Sequence, residues 1–158
     1  DNAFAIIQGL ETVPLRMKQH CENAQKVLEY LKKHKEITRV IYSTEHDKPL
    51  ADRAKKYLNG GNGPMIGIEL KGGFDAGKKF IESLKMFYHV ANIGDARSLA
   101  IHPASTTHSQ LNEEELAASG VTQSYVRLCI GLEHIDDIIE DLDQALNKSS
   151  KGALKAVS

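Results

Sequence analysis

Apolar residues fall into two periods along this chain. From Thr12 to about His34, Met17, Cys21, Ala24, Leu28 and Leu31 recur at steps of four and three, which draws one stripe along a long helix. Thr12 offers an N-cap, and Pro14 sits in the first turn, where its missing N–H is harmless. Glu22–Lys26 and Glu29–Lys33 are i,i+4 pairs of the favourable orientation on the other faces. A helix with one such stripe has to dock on a sheet or on another domain. The preceding residues, Asn2 to Leu10, also read as helix.

Shorter runs alternate instead. Thr38 to Tyr42 is β-branched and aromatic and predicts a strand; Met65 to Leu70 predicts a second. Between them lie a short helix, about Leu50 to Leu58, and a glycine-rich turn at residues 59–64. Gly72-Gly73 precedes a helix from about Asp75 to Met86. His89 to Asn92 and Ser98 to His102 predict two more short strands, and Pro103 to Asn112 a loop. A small helix over Glu113 to Ala118 is stopped by Gly120. Tyr125 to Ile130 predicts the last strand. The closing helix, about Ile135 to Leu146, puts Ile135, Ile138, Ile139, Leu142 and Leu146 on one side, with Asp136 and Asp137 in the turn where the helix dipole favours anions. Strands separated by one-striped helices predict an α+β two-layer sandwich, a small and mostly antiparallel sheet with helices on one side. Residues 149–158 are small and polar, and are expected to fray.

Composition narrows the functional classes. The 158 residues carry a formal charge of −1, with 26% charged and 41% apolar residues, which suits a globular domain and offers no surface for nucleic acid. No apolar run approaches the ~20 residues that span a bilayer, and no leader pattern opens the chain. The chain starts without Met and directly in helix, as a piece of a longer polypeptide would. Cys21 and Cys129 lack any framework spacing, which fits a reducing cytoplasm and two buried thiols.

Several patterns look chemical and fail on context. Gly60-Gly61-Asn62-Gly63 precedes a strand and has no Lys-Ser/Thr after it, so it reads as a turn rather than a phosphate loop. Seven histidines include no H-x-x-x-H spacing and no accompanying cysteine pair, so no metal site is expected. Ser105 to Ser109 is hydroxyl-rich beside His108 but lacks a nucleophile elbow and an orienting carboxylate. Arg127 differs. Strand alternation places Val126, Leu128 and Ile130 on one face and Tyr125, Arg127 and Cys129 on the other. Its planar fork suits a carboxylate through two parallel hydrogen bonds. The same pattern fits an arginine on the solvent side of an edge strand or in an internal ion pair. Asn92-Ile93-Gly94-Asp95 combines amide, glycine and carboxylate, which is turn chemistry and also a possible ligand contact.

Three segments in order carry a resemblance. Gln8 to Met17 (QGLETVPLRM), Ala91 to His108 (ANIGDARSLAIHPASTTH) and Tyr125 to Leu146, with VRLCIGLEHIDDIIEDLDQAL, resemble the C-terminal signatures of the Cys/Met-metabolism PLP-dependent family. Asn92, His102 to Gln110 and Glu133 to Ile138 look like its O-acetylhomoserine sulfhydrylase branch; Cys129 stands where the family usually has Ser, and Pro14 is also a departure. The resemblance implies the C-terminal domain of a fold-type I PLP enzyme, with residues 1–35 as a helical connection and 36–148 as a substrate-recognition domain. It implies pyridoxal 5'-phosphate in the intact enzyme but not bound to this chain alone, O-acetylhomoserine and sulfide as substrates, and a homo-oligomer. It further implies that Arg127 binds the substrate α-carboxylate, that Asn92 assists, and that Thr106 and Thr107 lie near the same pocket. The family's Schiff-base lysine sits in an S-x-T-K-type segment upstream, so no catalytic residue is expected in this chain. Methionine γ-lyase and cystathionine γ-synthase are the neighbouring activities within the family. A non-catalytic α+β interaction module is the reading from another class.

Overall fold

A computed structural model describes residues 1–45 and 47–153. Two helices open the chain, α1 (Asn2–Glu11) and α2 (Val13–Leu31). Strand β1 (Ile37–Ile41), helix α3 (Lys48–Tyr57), strand β2 (Met65–Leu70) and helix α4 (Gly73–Ser83) follow. Then come β3 (Tyr88–His89), β4 (Leu99–Ile101), α5 (Glu113–Ala118), β5 (Tyr125–Cys129) and α6 (Ile135–Ala153).

The five strands form one sheet in the order β1-β2-β5-β4-β3. Its first three pairings are antiparallel and only β3–β4 is parallel. One face is covered by α2, α4 and α6, so the expected α+β two-layer sandwich is the architecture found. The core holds Ala24, Val27, Leu28 and Leu31 of α2, Phe80 of α4, and Ile138, Leu142, Ala145 and Leu146 of α6. These pack on Ile66, Ile68, Val126, Leu128 and Ile130. Burial of such side chains stabilises by roughly 1.5–3 kcal/mol each relative to leaving them in water.

Several boundaries and contacts differ from the pattern-based expectation. Helix α6 runs on through Ala153, and Ser149 is buried with its hydroxyl donating to the Leu146 carbonyl. Fraying therefore does not begin at residue 149; residues 154–158 lie outside the described part. The buried stripe of α2 includes His20 and Asn23 while Met17 is exposed, because both polar side chains face the turn after β5. Thr12 occupies the N-cap position of α2 without capping it; its hydroxyl instead takes a hydrogen bond from Arg16, whose other arm reaches the Gly9 carbonyl at 2.9 Å. Helix α1 buries no residue, and Phe4, Ile6, Ile7 and Leu10 stand in solvent.

Asp141 joins α6 to the segment after α4. Its carboxylate accepts hydrogen bonds from the amides of Lys85, Met86 and Phe87 and from the Gln144 side chain. Those amides follow the last turn of α4, so a buried carboxylate replaces water as their partner.

Candidate functional site

The face of the sheet opposite the helices carries Arg127, and its register there is set by β5. Arg127 pairs with Gly67 of β2 on one side and Ile101 of β4 on the other. Tyr125, two residues earlier on the same face, lays its ring across Gly67: a Cβ at that glycine would meet the ring at 2.6 Å. Only a residue without a side chain leaves room for that ring. Burial raises the Tyr125 phenol above its ordinary range, with Glu69 adding to the shift and Arg127 opposing it.

The Arg127 side chain is half-buried and donates one Nη2 hydrogen bond, 3.3 Å, to the main-chain oxygen of Asn92. No carboxylate among the described residues forms an ion pair with it; neighbouring Glu69 pairs with Arg39 instead. An arginine keeps its charge at any biological pH and offers five donors. Most of Arg127's donors thus remain free for an anion.

Asn92 lies in the turn between β3 and β4. Its side-chain oxygen accepts from the Ile93 amide at 2.9 Å, and Gly94 adopts φ +80, a left-handed conformation that glycine takes without strain. The far side of the turn is braced. Arg97 stacks over the Tyr88 ring at 4.3 Å and bonds Asp95 at 3.3 Å. Hydrogen bonds from Arg97 hold the partly buried Asp95 carboxyl below the usual range.

Thr106 and Thr107 sit elsewhere. The Thr106 hydroxyl donates to the His102 carbonyl at 2.8 Å, and Thr107 is paired with His108 Nδ1 at 2.8 Å. Thr106 lines an open cleft of about 750 Å³ with Phe74, Lys78, His89 and Gln123, to which Arg127 does not contribute. No hydrogen bond among the described residues links either threonine to Arg127 or Asn92. The structure thus brings Arg127 and Asn92 together and leaves the two threonines in a separate hydrogen-bond set. His102 itself is fully buried, with Nε2 2.8 Å from the Gln123 carbonyl and Nδ1 2.9 Å from Ser105 Oγ. Both ring nitrogens are used, so it serves the loop and not a metal; among the described residues no group of three metal-ligating side chains occurs.

Sequence reasoning missed a polar cluster at the turn that follows β5. The turn after β5 is held by Ser98, Glu133, His20 and Asn23. Ser98 donates from its amide and its hydroxyl to the two oxygens of Glu133, at 2.6 and 2.8 Å. The Gly131 amide donates to that hydroxyl at 2.8 Å. The signal that could have exposed it was glycine followed two residues later by glutamate at the end of a buried strand.

Comparison with known proteins gives the family of the chain. A sequence profile described as Cys/Met metabolism PLP-dependent enzyme matches residues 1–147. This chain belongs to that family. Among its relatives, the O-acetyl-L-homoserine sulfhydrylase of Leptospira meyeri is 53% identical over 146 residues, covering 92% of this chain and 33% of the relative. The L-methionine gamma-lyase of Fusobacterium nucleatum subsp. polymorphum is 46% identical over 147 residues, covering 93% of this chain and 37% of the relative. A crystal structure described as an O-acetylhomoserine (thiol)-lyase from Campylobacter jejuni subsp. jejuni, with N'-pyridoxyl-lysine-5'-monophosphate, superimposes with TM-score 0.84 at 41% identity, covering 92% of this chain and 35% of that one. The chain thus spans about a third of the length of the family members it matches.

The family is PLP-dependent. A lysine that binds it covalently needs a site that desolvates its ammonium. Every lysine whose side chain is described here is exposed. Among the described residues no lysine is buried, while the Arg127 guanidinium is half-buried and has no carboxylate partner.

Proposed function

We propose that the intact protein converts O-acetylhomoserine and sulfide to homocysteine and acetate, and that this chain is its C-terminal substrate-recognition part. Sulfide displaces acetate at the γ-carbon: one C–S bond forms, one C–O bond breaks, and the acetate leaves as an anion. The pyridoxal 5'-phosphate of the family supplies the electron sink for that chemistry. Residues 36–148 form the recognition domain, and residues 1–35 connect it to the remainder of the polypeptide. The unburied apolar face of α1 supports that connection.

The observation that carries this reading is Arg127: a half-buried guanidinium, free of carboxylate partners among the described residues, held beside Asn92. It takes the substrate α-carboxylate, and Asn92 assists at its edge; Thr106 and Thr107, bonded within their own loop, are left out of the clamp. Clamping the carboxylate orients the amino acid, so that binding is converted into alignment of the reacting bond. The reaction itself depends on groups outside this chain, and the chain alone is inactive. No helix among the described residues is long and apolar enough to cross a membrane; two free cysteines fit a cytoplasmic enzyme, and the family resemblance implies a homo-oligomer for the intact protein.

The test is an assay of the intact protein with sulfide plus O-acetylhomoserine, then with methionine, then with cysteine plus O-succinylhomoserine. Homocysteine and acetate from the first pair support the reading. Turnover of methionine alone would make it a γ-lyase, the second reading, which the 46% identical methionine γ-lyase favours. Unaltered handling of every substrate by Arg127→Ala would leave the chain as an interaction module.

A further inference from the structure

Arg127 and Asn92 belong to different segments, and a cation clamp works only if their relative position is set before the substrate arrives. The Asn92 side of the pair is weakly held on its own: residues 91 to 94 are all exposed. Two places fix it to the end of β5. The Leu132 amide donates to the Ala96 carbonyl at 2.8 Å. Next to it in the chain, the Glu133 carboxylate spans the amide and the hydroxyl of fully buried Ser98.

The other side of the same turn is tied to α2 and β2, so it cannot drift with the loop. The Ile130 amide donates to the Pro64 carbonyl and its oxygen meets His20 Nδ1 at 2.6 Å; the Asn23 side-chain amide donates to the Gly131 and Glu133 carbonyls, both at 3.0 Å. Space is equally tight, since a Cβ on Gly131 would run into Glu133 Oε2 and the Ser98 amide. A charged acceptor taking two buried donors is stronger and more directional than a neutral one.

We infer that Glu133, through Ser98, is a positioning residue for the anion site: it locks the turn bearing Asn92 against the strand bearing Arg127. The inference rests on the proposed role of Arg127 in binding the substrate carboxylate. Glutamate is needed because both of its oxygens must accept. In Glu133→Gln the amide nitrogen would face a serine hydroxyl that already accepts from Gly131, leaving the Ser98 proton without its partner.

The experiment compares Arg127→Ala, Glu133→Gln and the double variant in the intact enzyme, measuring KM for the amino-acid substrate, KM for sulfide, and kcat. Glu133→Gln raises the amino-acid KM about tenfold, the scale of a small misplacement of a binding group, and leaves the sulfide KM unchanged. In the double variant the amino-acid KM equals that of Arg127→Ala alone, because Glu133 acts only through the clamp. Equal losses in both KM values, or effects that multiply in the double variant, would overturn the inference while leaving Arg127 in its role. An Arg127→Ala enzyme with unchanged amino-acid KM would overturn both. Where Glu133→Gln does not accumulate as folded protein, Ser98→Ala removes the hydroxyl contact and keeps the amide one, and the same comparison decides.

Discussion

The Asp141 carboxylate and the Met86 amide lie 2.8 Å apart although 55 positions separate them in sequence, and they bind the last helix to the end of α4. With the Lys85 and Phe87 amides on the same carboxylate, this is the main polar tie between those two elements. Asp141→Asn leaves one oxygen for donors that now share two. The expected cost is about 2 kcal/mol, the scale of a buried amide left without its acceptor. Urea unfolding that returned the wild-type midpoint would show that water takes over the interaction.

Gly77, inside α4, reverses the usual helix rule. In an ordinary helix Gly→Ala adds about 1 kcal/mol of stability. Here a Cβ would stand 2.5 Å from His102 Nε2, on a ring that is buried and bonded at both nitrogens. Gly77→Ala is therefore expected to destabilise, because the added methyl pushes the His102 ring off the Gln123 carbonyl. Thermal unfolding checks this: the midpoint should fall, and a rise would mean that the ring has room to move.

His102 also gives the protein a pH dependence of defined sign. Burial lowers its pKa below the ordinary 6.5, and the bond to the Gln123 carbonyl only partly offsets this. The unfolded chain then binds a proton that the folded chain refuses. The contribution is complete above about pH 6.5, the pKa of an unperturbed histidine, and is lost as pH falls through the depressed folded value. Stability measured from pH 8 down to pH 5 should fall, with a slope bounded by the roughly 1.4 kcal/mol per pH unit of a single proton. His102→Asn should flatten that slope; an unchanged slope would assign it to other groups, His34 first, whose pKa burial also lowers.

Arg127→Lys separates charge from geometry. Lysine keeps the charge but lacks the planar fork, so kcat/KM for the amino-acid substrate is expected to fall about tenfold or more, with the sulfide KM unaffected. A lysine variant as active as wild type would reduce the clamp to a point charge.

Local pattern determined much of this protein. The 3.6-residue period located the long helix α2 and the start of α6, and β-branched or alternating runs located β1, β2 and β5 to within a few positions, because amphipathicity is written in neighbouring residues. They also placed Arg127 opposite Val126 and Leu128, since a strand alternates by geometry alone. Tertiary structure decided the rest. His20 and Asn23 look like polar breaks in the stripe of α2, yet they are buried because the carbonyls of Ile130, Gly131 and Glu133, more than a hundred residues away, need donors there. The extension of α6 to Ala153 and the pairing of Ser98 with Glu133 are likewise invisible in the order of residues. Hydrogen bonds between distant segments follow from how the sheet and helices stack, and no local period records them.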